Sequence, residues 1–440
     1  MEKEARKITI IGGGLAGCEG AWQLAEAGIP VILYEMRPEK MTPAHESELL
    51  GELVCSNSLG SNLLTNAVGI LKEELRKMNS LIIQAADEGR VPAGKALAVD
   101  RVKFSQFITK AITSHPNITL IREEVTHIPE EGIVIVASGP LTSDALSKKL
   151  MELTGEEYMY FYDATSPIVT RESVNEEAGF WGSRYDEDGT DYFNAPMTQE
   201  EYDAFYNALI TAELHKSHEW EEKEIFFEEC MPIDEIARRG KDTLRFGPLK
   251  PVGLINPKTG HRPWAVIQLR KEDSEGNLLN LVGFQTSLKW GEQERVFKMI
   301  PALKGAEFVR FGTIHRNTYI NSPKLLTPSL QLKENPRIFF AGQITGVDGY
   351  IESTGMGLVD GINAGRIMNG LEPIAFPAET VIGSLLKFIS GAETKNFQPM
   401  NANFGLLPPL TERIKDKKAR RQAMAERALT ALEKINLKMI

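Results

Sequence analysis

The chain has 440 residues, 42% hydrophobic and 25% charged, with a formal net charge of −10, a globular balance with room for two or three lobes at about 150 residues each. The acidic balance excludes a generic nucleic-acid binder but not a local basic face. No apolar run reaches the ~18 residues of a membrane span, and the first apolar run leads into a glycine turn instead of a leader cleavage site, so a cytoplasmic protein is expected. Three cysteines, Cys18, Cys55 and Cys230, lie far apart without a C-x-x-C pair or a Cys/His cluster, so neither a disulfide framework nor a metal site is expected.

Ile8 to Ile11 is an unbroken apolar, β-branched run of the kind a buried parallel strand shows. Gly12, Gly14 and Gly17 follow with G-x-G-x-x-G spacing: the first permits a tight turn, the second lets backbone approach a pyrophosphate, and the third lets a helix pack on the strand. The helix runs to Gly28, its free N–H groups and positive dipole end facing the phosphates. Pro30 to Tyr34 reads as a second strand ending at Glu35, placed to accept from a ribose hydroxyl. A free 2′-hydroxyl disfavours NADP at this position, while FAD and NAD both fit.

The polar stretch around Cys55 reads as an accessible loop leading into an amphipathic helix from Gly69 to Gln84. Strands are expected at Val91 to Val99 and Asn117 to Val125, with a helix from Arg101 to Ser114 between them. Gly132 to Gly139 is a further buried strand, ending at Ser138 and Gly139 where an α/β sheet turns its backbone toward a nucleotide; a helix from Thr142 to Leu153 follows. From about Gly182 the texture changes. Glu200 to Phe227 reads as a Glu-rich helix, Met231 to Leu254 as a basic loop, and Ala265 to Leu269 with Leu278 to Phe284 as paired strands.

Arg337 to Gly342 returns to the buried-strand pattern and opens, through Gly342 and Gln343, into a glycine-rich turn and helix. That is the expected partner of an amino-terminal FAD half-site, and with only one dinucleotide fingerprint in the chain it favours FAD over NAD. The fold expected is therefore α/β: a split Rossmann-like FAD-binding domain of glutathione-reductase type, residues 1–185 and 336–440, around an inserted α+β domain, 186–335. Near the carboxy terminus Arg413, Lys415, Lys417, Lys418, Arg420 and Arg421 cluster on a helical pattern. A solvated helix face accounts for them, and so does contact with RNA.

Several strings taken together resemble the flavin- and folate-dependent tRNA uracil-5 methyltransferases, the TrmFO family, over nearly the whole chain. They are GGGLAG at Gly12 to Gly17, YEMRP at Tyr34 to Pro38, ELVCSNSLGS at Glu52 to Ser61, CMPIDEIARRGKDTLRFGPLKPVGL at Cys230 to Leu254, GFQTSLKWGEQ at Gly283 to Gln293, HRNTYIN at His315 to Asn321, AGQITGVDGY at Ala341 to Tyr350, and FQPMNANFGLLP at Phe397 to Pro408. A longer flavoprotein family that modifies the tRNA wobble uridine matches mainly in the nucleotide half-sites. The resemblance implies one-carbon transfer from 5,10-methylenetetrahydrofolate to carbon 5 of the T-loop uridine, position 54, of tRNA, with reduced FAD as carrier and NAD(P)H as reductant. It extends the cofactor contacts to Gly13, Leu15, Ala16 and Arg37, and makes the inserted domain the face for substrate and tRNA. A flavin-dependent oxidoreductase acting on a small molecule, without RNA, is the alternative, but it leaves the two matched cysteines idle.

Carbon 5 of uracil is a poor nucleophile until a group adds at carbon 6, and a thiolate suits that addition because it attacks and leaves readily. A base must then remove the carbon-5 proton. Cys55 and Cys230 match the family's cysteine positions. Arg238, Arg239, Lys241 and Arg245 after Cys230 favour its thiolate, against Glu228 and Glu229 before it; Cys230 is thus assigned the nucleophile and Cys55 its partner, as acid/base or as protection of the flavin side. Cys18, at the start of the nucleotide-binding helix, is expected to pack. For Trp290 core packing outweighs stacking on a pterin or base, and for His315 a hydrogen-bonded structural role outweighs holding folate or RNA.

Overall fold

Ile8–Ile11 lies in the middle of a six-stranded sheet, paired in parallel with Val31–Glu35 on one side and Ile133–Val136 on the other. Helices cover both faces of such a strand, which is why its residues are apolar without alternation and Ile8 and Ile10 are fully buried. Ile118–Arg122 extends the sheet beyond Val31–Glu35. Beyond Ile133–Val136, Asn335–Phe340 also pairs in parallel, and Gln331–Leu332 closes that edge antiparallel. Strands far apart in the chain thus share one sheet, the split α/β arrangement expected. This computed structural model describes residues 7–156, 159–186, 189–215 and 231–437.

The first helix, Leu15–Glu26, crosses the long helix Tyr350–Met368 at backbone contact. A Cβ at Gly357 would lie 2.1 Å from the Ala16 carbonyl oxygen, and one at Gly361 2.8 Å from that of Gly20. The glycine-rich stretch after Tyr350 is therefore helix, chosen for close approach and not for flexibility. Helices Ala67–Lys77, Val381–Gly391 and Lys417–Glu433 build outward from this pair.

A second, antiparallel sheet runs in the order Phe180–Gly182, Tyr192–Met197, Ala265–Lys271, Leu278–Leu281, Ile168–Thr170, Phe308–Arg310. Its own core joins Phe193, Tyr202, Phe205, Phe284 and Phe297. The strands Ile168–Thr170 and Phe180–Gly182 lie upstream of residue 186, so the boundary expected there from the change in composition falls too late. Composition shifted at the acidic loop, whereas hydrogen bonding had already moved to the new sheet. A two-stranded ribbon, Met159–Ala164 with Ile314–Tyr319, carries the chain in and out.

Two other expectations are corrected. The helix expected from Gly69 to Gln84 is two, Ala67–Lys77 and Leu81–Glu88, because Asn79 takes φ 55° and the Ser80 side chain accepts from the Ile83 N–H to cap a new helix. The single strand expected from Val91 to Val99 is the two strands Arg90–Val91 and Ala96–Val99 of a small sheet that also pairs Ser58–Ser61. The Glu-rich helix is Gln199–Thr211 as far as residue 215, its remainder lying outside the described residues, and the basic loop after residue 231 contains short helices Ile233–Arg238 and Thr243–Phe246.

Candidate functional site

At the carboxyl ends of the parallel strands a cleft of about 1030 Å³, open mouth included, runs from the first glycine turn to the second. Gly12 takes φ 112°, and a Cβ there would meet the Ala137 carbonyl oxygen at 2.4 Å. A Cβ on Gly17 would fall 1.8 Å from the Gly12 oxygen, so helix and strand touch backbone to backbone. Gly14 differs: apart from its own chain neighbours, no atom of the described residues lies within 4 Å of its missing Cβ, and it is the residue preceding the helix Leu15–Glu26. The turn is thus packed from behind and open toward the cleft, the shape a pyrophosphate requires. Gly12, Gly14, Leu15 and Ala16 line the cleft, while Gly13 and Gly17 shape the turn behind it.

Glu35 reaches the cleft from the end of its strand. Its carboxylate accepts from the Gly13 N–H at 2.9 Å and from the N–H and Nε of Arg37 at 2.9 and 3.0 Å. Burial alone would raise its pKa, but the Arg37 charge and these hydrogen bonds together hold it below the usual carboxylate value. Arg37, 2% exposed, also donates to Glu52 at 3.0 Å. The acid expected to serve a ribose hydroxyl therefore also ties the glycine turn to the loop that carries Glu52. Beyond it Glu123, Glu124 and Val125 form a wall absent from the sequence reading; they follow a strand without any motif of their own.

Ser138 and Gly139 line the middle of the cleft, the Ser138 hydroxyl paired with that of Thr142 at 2.8 Å. Gly342, at φ 83°, comes so close to the first helix that a Cβ would lie 2.9 Å from the Ala16 Cβ. The second glycine turn, with Gln343, therefore meets the first across the sheet, and Ser353 and Tyr350 complete that end.

Tyr350 links the cleft to the thiol loop. Its hydroxyl accepts from the Cys55 N–H at 2.7 Å and the Ser56 N–H at 3.3 Å, and the neighbouring Val54 lines the cleft itself. Cys55 is half-buried, with Sγ 3.6 Å from the Ala164 carbonyl oxygen. Arg101 braces the same loop through the carbonyls of Leu53 and Cys55 and pairs with the buried Glu272. Cys230 lies outside the described residues. Cys18 is fully buried, and burial together with Glu35 pushes its thiol up, away from reactivity. Trp290 is 62% exposed and stacks on Phe311 at 5.8 Å between ring centroids, which corrects the expected core position. His315 sits in a strand paired with Met159–Ala164.

Fold and cleft together define a split Rossmann-like protein of the FAD-binding type. A family model described as glucose inhibited division protein A matches residues 7–372. The chain is 60% identical to the methylenetetrahydrofolate--tRNA-(uracil-5-)-methyltransferase TrmFO of Heliobacterium modesticaldum, over 97% of each chain. It is 59% identical to the relative of the same name from Enterococcus faecalis, over 96% of this chain and 97% of that one. GidA of Aquifex aeolicus superposes with a TM-score of 0.69 at 18% identity, covering 99% of this chain and 74% of that one, a likeness of fold. The chain belongs to the glucose inhibited division protein A family and, within it, to the TrmFO methyltransferases. No helix among the described residues is long and apolar enough to cross a membrane.

Proposed function

We propose that this protein transfers the methylene carbon of 5,10-methylenetetrahydrofolate to carbon 5 of uridine 54 in the T-loop of tRNA, in the cytoplasm, using FAD and NAD(P)H. The observation that carries the choice of reaction is the 60% identity over 97% of the chain to a relative named for it. The cleft fits FAD: its glycine turn is open where a pyrophosphate would lie, and its far end is lined by Tyr350. When bound there, FAD supplies the redox and one-carbon relay between folate and uracil.

This chain's own residues bind the cofactor, carry the uracil chemistry and meet the tRNA. Gly12, Gly14, Leu15 and Ala16 present backbone and the helix N-terminus to the pyrophosphate, and Gly13 and Gly17 shape the turn that carries them. Glu35 and Arg37 hold the adenosine side, and Ser138, Gly139, Gly342 and Gln343 hold the flavin side. Cys230 adds as thiolate to carbon 6 of the uracil, making carbon 5 electron-rich, and is expelled again as Cys55 takes the carbon-5 proton. Tyr350 keeps Cys55 at the flavin end through the hydrogen bond to its N–H. The lobe built on the second sheet, with strands from Ile168 to Arg310, faces the tRNA.

Purified protein incubated with NADH, labelled methylenetetrahydrofolate and unmodified tRNA should place label in 5-methyluridine, and only when all three are present. NADH oxidation by a small acceptor with no response to tRNA would instead establish the oxidoreductase. Cys55→Ala should lower methylation at least about 100-fold, the loss expected of an acid/base group. Cys230→Ala should abolish the covalent adduct with 5-fluorouracil-containing RNA, and an adduct that persists would move the nucleophile to another residue.

A further inference from the structure

The helix Lys417–Glu433 carries its charges the wrong way round for its own stability. Its first two turns hold Lys417, Lys418, Arg420 and Arg421 and no acid beyond the capping Asp416, whose side chain accepts from the Ala419 N–H at 2.7 Å. The N-terminal end of a helix dipole favours anions, and cations three or four residues apart repel. Arg413 and Lys415, just before the helix, add to the same end. Arg413, Lys415, Lys417, Lys418 and Arg420 are all exposed, and among the described residues none forms an ion pair. Near the other end, Glu433 pairs with Lys77 at 2.8 Å. In a chain of net charge −10, an unpaired cation cluster set against its local electrostatics marks a surface kept for an anionic partner.

The surroundings narrow the choice of partner. A helix that binds a membrane surface needs a free apolar face, but here Met424, Ala425, Ala428 and Leu432 are buried against the protein. Only the polar, basic side faces outward. The cluster is also joined to the thiol loop. Arg421 donates to the Thr65 carbonyl at 3.2 Å and lies 5.0 Å over the Phe404 ring. Thr65 belongs to the segment that continues from Cys55 through the strand Ser58–Ser61. Just before Phe404, the Ala402 N–H donates to Glu352 at 2.9 Å, and the Met400 carbonyl accepts from Asp348 at 2.9 Å, in the turn that ends at Tyr350. The cations thus stand on elements that also frame the end of the cleft holding Cys55.

We infer that Arg413, Lys415, Lys417, Lys418 and Arg420 form a phosphate-docking surface for the tRNA backbone beside the site of methylation. The inference rests on the proposed tRNA reaction. Phosphate contacts position an RNA without reading its sequence, and they make its affinity salt-dependent.

The test compares wild-type protein with the triple variant Lys417→Gln, Lys418→Gln, Arg420→Gln. Affinity for unmodified tRNA and KM for tRNA are measured between about 50 and 200 mM salt. The triple variant should bind tRNA about tenfold more weakly at the low end, with a log–log salt slope shallower by about 2 if three phosphate contacts are lost. KM should rise while kcat at saturating tRNA holds, and Lys417→Arg with Lys418→Arg should keep wild-type affinity. Equal tRNA affinity and slope in wild type and triple variant would overturn the inference. So would a loss confined to binding of anionic phospholipid vesicles. Binding is read without turnover, so a wild-type protein that binds tRNA through this surface yet transfers no label would sink the proposed reaction and spare the docking surface.

Discussion

The three glycines of the spacing motif do three different kinds of work at the residue scale. Gly12 and Gly17 have backbone atoms 2.4 and 1.8 Å from where a Cβ would sit, whereas Gly14, apart from its own chain neighbours, has no atom of the described residues within 4 Å. Gly17→Ala should therefore destabilise the protein even without cofactor, by more than about 1 kcal/mol. Gly14→Ala should leave the melting of the flavin-free protein within about 0.5 kcal/mol and still lower FAD affinity at least tenfold; thermal melts and flavin titration separate the two. Glu35 was legible as an acid at a strand end, but its grip on Gly13, Arg37 and, through Arg37, Glu52 was not, because only the fold brings residue 52 beside residue 37. Glu35→Gln should cost about 1.5–3 kcal/mol, the worth of a hydrogen bond to a charged group, because Arg37 keeps Glu52 as a partner. The Glu35 pKa is lowered in the folded protein, so its stabilisation is fully present above the unfolded value of about 4.3 and is lost as pH falls through the folded value. Acid titration of the variant should show a shallower loss below that point.

At the scale of elements, the crossing of Leu15–Glu26 with Tyr350–Met368 holds the two glycine turns together. Gly357→Ala would drive a methyl into the Ala16 carbonyl and should lower both stability and FAD retention, although residue 357 does not line the cleft. Glu74, on the helix Ala67–Lys77, accepts from the Val381 and Ile382 N–H groups at 2.7 and 3.0 Å and so caps the helix Val381–Gly391. Full burial pushes its carboxyl up to about 7 despite those two bonds. A carboxyl raised in the folded state favours folding at low pH. Its contribution declines as pH rises from about 4.3 toward the folded value, a loss of about 4 kcal/mol in all. Wild-type melting temperature should accordingly carry a downward component between pH 5 and 8 (roughly the window set by those two values) that Glu74→Gln removes. Neither pairing is visible in sequence, since a Glu inside a helical charge pattern reads as solvated. The break at Asn79 and Ser80 could have been read, because an asparagine followed by a serine is a stop followed by a cap.

For the whole molecule, the cleft is built from strand ends drawn from residues 8 to 340, and its ligand should act as a brace between them. FAD at a hundredfold excess over its dissociation constant should stabilise the protein by about 2.7 kcal/mol. A melt series against FAD concentration checks this, and at the same FAD concentration the gain should fall to about 1.4 kcal/mol or less in Gly14→Ala. Net charge does not describe the surface as a whole: an acidic chain presents an unpaired basic end on its carboxy-terminal helix.

Local features were determined by sequence alone: the buried parallel strands from their unalternating apolar runs, the tight turn after the first strand from glycine spacing, and the late strand that opens into a second glycine turn from its own apolar run. Each depends on residues adjacent along the chain. Tertiary structure alone decided where the second sheet begins, that Tyr350 meets Cys55 across nearly three hundred residues, and that Glu35 reaches Glu52 through Arg37. Those outcomes depend on which distant backbones come within van der Waals and hydrogen-bonding reach, and neighbouring residues carry no record of that.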